Sequence, residues 1–181
     1  QFLDSDCGGF LPAVDGDAAV AGVRPEHDPL RAELGQPLSQ QVRPGAGELL
    51  RALRAEGGRT ALVTMSLRDM ALTVAGQMGF DAFDLVVAGD DVTRPKPFPD
   101  PYLQACTTLG VDPADAVAIE DSPTGVRAAA SAGVTTIGVP LMVPLDGAGA
   151  DVLWPTLQGR TTDDLRAVHA ARRTSRDEVS A

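Results

Sequence analysis

Lys96 is the only lysine in a chain that otherwise uses arginine for its cationic side chains. It lies within Arg94-Pro95-Lys96-Pro97-Phe98-Pro99-Asp100. An ammonium is a compact point charge suited to a phosphate or carboxylate oxygen, and a planar guanidinium does not replace it there. The flanking prolines predict an extended, stiff loop that aims the charge. Taken alone, Lys96 reads equally well as a stray surface residue. Three further polar residues close apolar runs: Thr64 ends Thr60-Ala61-Leu62-Val63-Thr64, and Glu120 and Asp121 follow Ala116-Val117-Ala118-Ile119. A hydroxyl, an ammonium and two carboxylates together can hold an anion and a hard cation. Each also has an ordinary account, Thr64 as a strand-end hydrogen bonder and Asp121 as a helix cap.

The elements that must carry these groups follow a regular rhythm. Pro44 opens a predicted helix with Leu49, Leu50 and Leu53 on one face, stopped by Gly57-Gly58. Ser66 is expected to cap a helix running to about Met78, before Gly79. Asp84–Ala88 reads as the next strand, and Asp100-Pro101 opens a helix ended by Gly110. Ser122-Pro123 repeats that device ahead of Gly133, and Thr135–Val139 is a fourth strand. Strands apolar on both faces, alternating with amphipathic helices, predict a parallel sheet covered on both sides, a Rossmann-like α/β three-layer sandwich. In such sheets ligands bind beyond the carboxyl ends of the strands. Thr64, Lys96, Glu120 and Asp121 all fall at that edge.

The stretch from Pro44 to about Val139 resembles the core of the haloacid-dehalogenase-like hydrolase superfamily, in its beta-phosphoglucomutase-like phosphatase branch. Ala61-Leu62-Val63-Thr64-Met65-Ser66 is similar to the second family motif. Lys96-Pro97-Phe98-Pro99-Asp100-Pro101-Tyr102 is similar to the third, with Pro95 where many relatives have glycine. Ile119-Glu120-Asp121-Ser122-Pro123-Thr124-Gly125-Val126 is similar to the fourth. The resemblance implies a Mg²⁺-dependent phosphatase or phosphomutase acting on a small phosphorylated metabolite through an aspartyl nucleophile. It implies that Thr64 and Lys96 are catalytic, and that Thr64, Met65 and Ser66 bind the phosphate through hydroxyls and a backbone N–H. It implies Asp121 as a metal ligand, with Glu120 as a neighbouring ligand or an acceptor behind it.

The family's first motif is a buried apolar strand ending in Asp-x-Asp. Only Phe2-Leu3-Asp4-Ser5-Asp6-Cys7 comes near it, and Asp4 and Asp6 are expected instead to be polar residues of a ragged N-terminus. The central strand of the sheet therefore lacks a good candidate, and the cap domain is expected reduced or absent. The chain starts at Gln1 rather than Met, which suggests a processed product, or a truncated or impaired copy, inactive as written if the nucleophilic Asp is absent. Its organisation is read as an irregular segment or cap remnant over 1–42, an α/β core over 43–171 with a last helix from Thr162 to about Ala171, and a disordered tail over 172–181.

A net charge of −10 with no basic run argues against nucleic acid and against an anionic membrane surface. No apolar stretch approaches the length of a membrane span. Cys7 and Cys106 stand in no metal-ligand spacing and suggest the reducing cytosol, so a cytoplasmic location is expected. His27 and His169 are isolated and read as surface residues. Two other readings compete with an active enzyme. A phospho-receiver domain would place its acidic pair before the Thr and Lys, whereas here the pair comes last. A catalytically dead relative serving as a binding or structural module fits the weak first motif.

Overall fold

Leu49, Leu50 and Leu53 are all buried, and they make the inner face of helix α1 (Ala46–Ala55) in the computed structural model, which describes residues 9–12, 43–76 and 78–180. Burying such a side chain contributes about 1.5–3 kcal/mol, so three on one stripe fix how α1 sits on the sheet. The strands are β1 (Gly9–Pro12), β2 (Thr60–Val63), β3 (Leu85–Val87), β4 (Val117–Glu120), β5 (Thr135–Gly138) and β6 (Val152–Leu153). They form one sheet in the order β3-β2-β1-β4-β5-β6. The helices after α1 are α2 (Arg68–Gly76), α3 (Asp100–Leu109), α4 (Pro123–Ser131) and α5 (Thr162–Ser180). β2 pairs with β3 in parallel, and β4, β5 and β6 are likewise parallel. Right-handed crossovers place α2 on one face and α3 and α4 on the other, because the chain reverses its direction across the sheet after β3. The expected α/β architecture is present, and every residue of β2, β4 and β5 is buried, as strands covered on both sides must be.

The central strand is where expectation and structure part. The slot between β2 and β4 is filled, and β1 fills it antiparallel to both neighbours. Gly9 lies opposite Val63 and Pro12 opposite Thr60, while Phe10 lies opposite Ile119. Its apolar core is two residues, Phe10-Leu11, between glycine and proline, too short for a periodicity signal. The rows of N–H and C=O groups on β2 and β4 nevertheless need a partner, and an antiparallel strand pairs with them at least as well as a parallel one. Asp4, Asp6 and His27 lie outside the described residues, as does most of the segment read as a cap remnant.

Two other expectations are corrected. Helix α5 does not stop near Ala171 but continues to Ser180. Its arginines tie it down: Arg172 to Asp151, Arg173 to Asp115 at 3.0 Å, and Arg176 to the carbonyl of Gly133. His169 is not at the surface. It is buried on α5, with Nδ1 3.1 Å from Thr135 Oγ1 of β5. Among the described residues no helix is long and apolar enough to cross a membrane.

Candidate active site

Thr64 continues β2 by one residue, its N–H donating to Val87 O at 2.9 Å, and the chain then turns out of the sheet. The turn is closed by the Thr64 hydroxyl, whose oxygen accepts the Ser66 N–H at 3.1 Å. That leaves the hydroxyl proton for a further acceptor. On the opposite wall of this loop, Gly89 N–H donates to Ser66 O at 2.9 Å. A Cβ on Gly89 would sit 2.4 Å from Met65 O, so only glycine lets the two loops meet this closely. Ser66 lies two residues before α2 and does not cap it; the Arg68 N–H at the start of that helix is taken by Asp90 Oδ1 at 3.0 Å, a cap from across the loop.

The loop that carries Lys96 is a turn rather than the extended segment its prolines suggested. Phe98 N–H donates to Pro95 O at 3.0 Å, and the Lys96–Pro97 peptide is cis. The Lys96 N–H points to Met65 Sδ at 3.4 Å, joining this loop to the one after β2. The side chain runs inward and is fully buried. Its Nζ donates to Val63 O at 3.2 Å and to Glu120 Oε1 at 2.5 Å. The ammonium therefore sits between the ends of β2 and β4, across the slot that β1 occupies.

Glu120, the last residue of β4, is the hub of this arrangement. Its Oε1 accepts from Lys96 Nζ and also from the hydroxyl of Tyr102 on α3. Its Oε2 lies 3.3 Å from the Asp121 N–H and 3.5 Å from Ser122 Oγ. Burial, then the charge and hydrogen bond of Glu120, push the Tyr102 hydroxyl well above its usual pKa, so it remains a donor. A buried charge is tolerated when it is paired and its remaining lone pairs are used, and both conditions hold for Glu120. The carboxylate fits because residue 125 has no side chain: a Cβ on Gly125 would lie 2.0 Å from Glu120 Oε2. Gly125 also donates its N–H to Ser122 Oγ at 3.0 Å, the cap of α4.

Asp121 projects at the same edge and is 8% exposed, with Oδ2 3.9 Å from the guanidinium of Arg43. Arg43 donates to Val139 O at 2.7 Å and Pro140 O at 3.0 Å, just beyond β5. Nothing in the spacing around Arg43 signals a site residue; its place follows only from the return of the chain to this edge. Tyr102 and Gly125 stand inside recognisable motifs, but their contacts with Glu120 depend on how α3 and α4 pack. Among the described residues no group of three or more His, Cys, Asp or Glu side chains is placed to enclose a metal ion. Glu120 spends its oxygens inside the protein, which leaves Asp121 as the carboxylate of the pair suited to a hard cation. Such a donor fits magnesium, which keeps several waters and takes only one or two carboxylates.

Taken together, an ammonium, a hydroxyl with a proton to give and a carboxylate gather at the carboxyl edge of the sheet. The start of α4 adds a partial positive field. A family model for "Hydrolase: haloacid dehalogenase-like hydrolase" matches residues 7–133. A phosphoglycolate phosphatase (plasmid) of Cupriavidus necator is 36% identical over 126 residues, 69% of this chain and 52% of the relative. A validoxylamine A 7'-phosphate phosphatase of Streptomyces hygroscopicus subsp. limoneus is 38% identical over 96 residues, 52% of this chain and 45% of the relative. The chain thus spans about half the length of these curated relatives. Among solved structures, CbbY from Rhodobacter sphaeroides in complex with phosphate aligns with a TM-score of 0.60 at 30% identity, over 77% of this chain and 68% of that one. A beta-phosphoglucomutase from Clostridium difficile aligns with a TM-score of 0.67 at 23% identity, over 75% of this chain and 60% of that one, a likeness of fold.

Proposed function

The chain belongs to the haloacid dehalogenase-like hydrolases, and from that membership we propose that it is a magnesium-dependent phosphoryl-transfer hydrolase acting on a small phosphate monoester in the cytoplasm. The observation that carries this reading is the buried Lys96 ammonium, held between Glu120 and the carbonyl of Val63, the residue before Thr64. The two phosphatase relatives support the substrate class, since the names of both specify small phosphate monoesters.

In this reading Thr64 donates its hydroxyl proton to a phosphoryl oxygen and the backbone N–H of Met65 faces the same group, while the Ser66 N–H, given to the Thr64 oxygen, fixes how that hydroxyl is turned. Lys96 supplies a fixed positive charge that need not reorganise as negative charge shifts between the attacking carboxylate and the phosphoryl group. Glu120 holds Lys96 in place. Asp121 would hold magnesium, and the bound ion would supply charge neutralisation on the phosphate oxygens. The nucleophile is sought in Asp4 and Asp6. Both lie outside the described residues, but the chain enters the sheet at Gly9, opposite Val63, on the carboxyl edge.

One observation favours a second reading, a binding module without turnover. β1 runs opposite to its neighbours, so a carboxylate placed after it, as the family's first motif would place one, stands at the wrong edge. Turnover of 4-nitrophenyl phosphate, with and without Mg²⁺, separates the two. The hydrolase reading expects Mg²⁺-dependent turnover that is lost in Asp4→Asn or Asp6→Asn. It also expects Asp121→Asn to weaken Mg²⁺ binding in a calorimetric titration. Phosphate binding without turnover in the unsubstituted chain would establish the module instead.

A further inference from the structure

Tyr102 is completely buried on α3, and its environment is more specific than packing requires. A buried tyrosine needs some acceptor for its hydroxyl. Here the acceptor is Glu120 Oε1, the same oxygen that receives Lys96 Nζ at 2.5 Å. The face of the Tyr102 ring lies 5.3 Å from that same Nζ. One side chain thus offers its ring to the ammonium at cation–π distance and its hydroxyl to the ammonium's counter-ion. Gly125 closes the arrangement, because a Cβ there would lie 2.0 Å from one carboxylate oxygen of Glu120 and 2.3 Å from the other.

We propose that Tyr102 is a positioning residue for Lys96: through Glu120 Oε1 and its ring face it fixes where the chain's single ammonium stands at the carboxyl edge, in a space that Gly125 leaves open. The hydroxyl anchors the carboxylate against swinging with the lysine, and the ring limits the ammonium to one side of it. The geometry stands on its own, but its catalytic meaning rests on the phosphoryl-transfer reading.

The sequence provides an unusual probe. With Lys96 as the only lysine, protein grown on ¹⁵N-lysine gives one side-chain ammonium resonance. A paired, buried ammonium exchanges its protons slowly with water. Tyr102→Phe keeps the ring and deletes the hydroxyl, and is expected to speed that exchange about tenfold, the weight of one hydrogen bond to a charged group. Gly125→Ala is expected to shift the resonance by displacing Glu120. Leu109→Ala, which hollows the far end of α3, is the control for simple loosening and is expected to leave the ammonium signal in place. The proposal is overturned if the unsubstituted chain shows no slowly exchanging ammonium, if Tyr102→Phe leaves exchange unchanged, or if Leu109→Ala speeds it as much. Turnover is scored separately. In an active chain Tyr102→Phe should lower kcat about tenfold with little change in KM. An unsubstituted chain without turnover would defeat the hydrolase reading, while the ammonium measurement still decides the place of Tyr102.

Discussion

At the scale of single residues, the site depends on one oxygen and the two donors that share it. Replacing Glu120 with alanine would leave the Lys96 ammonium buried without its counter-ion and Tyr102 without its acceptor. Breaking a buried pair on one side costs about 3–5 kcal/mol. A chemical denaturation curve of Glu120→Ala should show a loss of that size, and removing Lys96 in the same chain, as Lys96→Met, should recover part of it. Lys96→Arg tests the geometry rather than the charge. The guanidinium is larger than a slot that is completely closed around the ammonium, and it delivers its charge along a fork rather than at a point. Turnover of 4-nitrophenyl phosphate by that variant should fall at least about 100-fold, the usual cost of one lost electrostatic contact to the transition state, while its circular dichroism spectrum is retained. The special standing of Lys96 was legible from composition alone, because one lysine among arginines needs a reason. Its partners were less so. Glu120 was read as a neighbouring ligand or as an acceptor behind Asp121, and it is the packing of α3 and α4 against the end of β4 that turns it inward, leaving its neighbour Asp121 at the edge.

At the scale of the element, α3 concentrates two groups whose protons the fold protects. Burial pushes the Cys106 thiol up to about 12 from an ordinary 9.0. Burial, with Glu120, raises the Tyr102 hydroxyl well above 10.0. Both shifts have the same sign. Above the unfolded values the unfolded chain gives up these protons and the folded chain keeps them, so the stability they confer is complete below pH 9.0 and declines as pH rises toward about 12. The midpoint of thermal unfolding should therefore fall on this alkaline side, and Cys106→Ala should make the fall shallower. Because Tyr102 is the chain's only tyrosine, tyrosinate absorbance should appear together with unfolding and not before it. The helix itself was readable in advance, since Asp100-Pro101 and Gly110 mark its ends and the structure puts them at Asp100 and at a left-handed Gly110. The loop ahead of it was misread. Four prolines and one lysine suggested an extended strap, but local backbone preference yielded to the contacts with Met65 and Glu120, which require a turn. Helix α5 was underestimated for a similar reason. Its last third lacks an apolar stripe, and the ion pairs of Arg172 and Arg173 with Asp151 and Asp115, distant in sequence, hold it in place.

At the scale of the whole molecule, the parallel half-sheets β3-β2 and β4-β5-β6 have a reversed strand between them. The apolar runs announced β2 to β5, because each is bounded by turn residues. They were silent on β1 and β6, of four and two residues, whose pairing is decided by what their neighbours lack. Deleting residues 1–12 would uncover the inner rows of β2 and β4. Each buried donor or acceptor left unmade costs about 1–3 kcal/mol, against a total of about 5–15 kcal/mol for an ordinary domain. The shortened chain is expected to lose its cooperative thermal transition, and differential scanning calorimetry would reveal whether it does. The direction of β1 adds something else. The chain leaves β1 opposite Thr60 at one edge of the sheet and is next described at Arg43, fastened to Val139 and Pro140 at the other. A protease nick between Pro12 and Arg43 would turn β1 into a separate peptide lodged at the centre of its former domain, no longer joined to it by a covalent bond. The molecule would then be a two-component system, a receiver with an open groove and a short key, in which mixing the two restores a cooperative melt in a saturable, dose-dependent way.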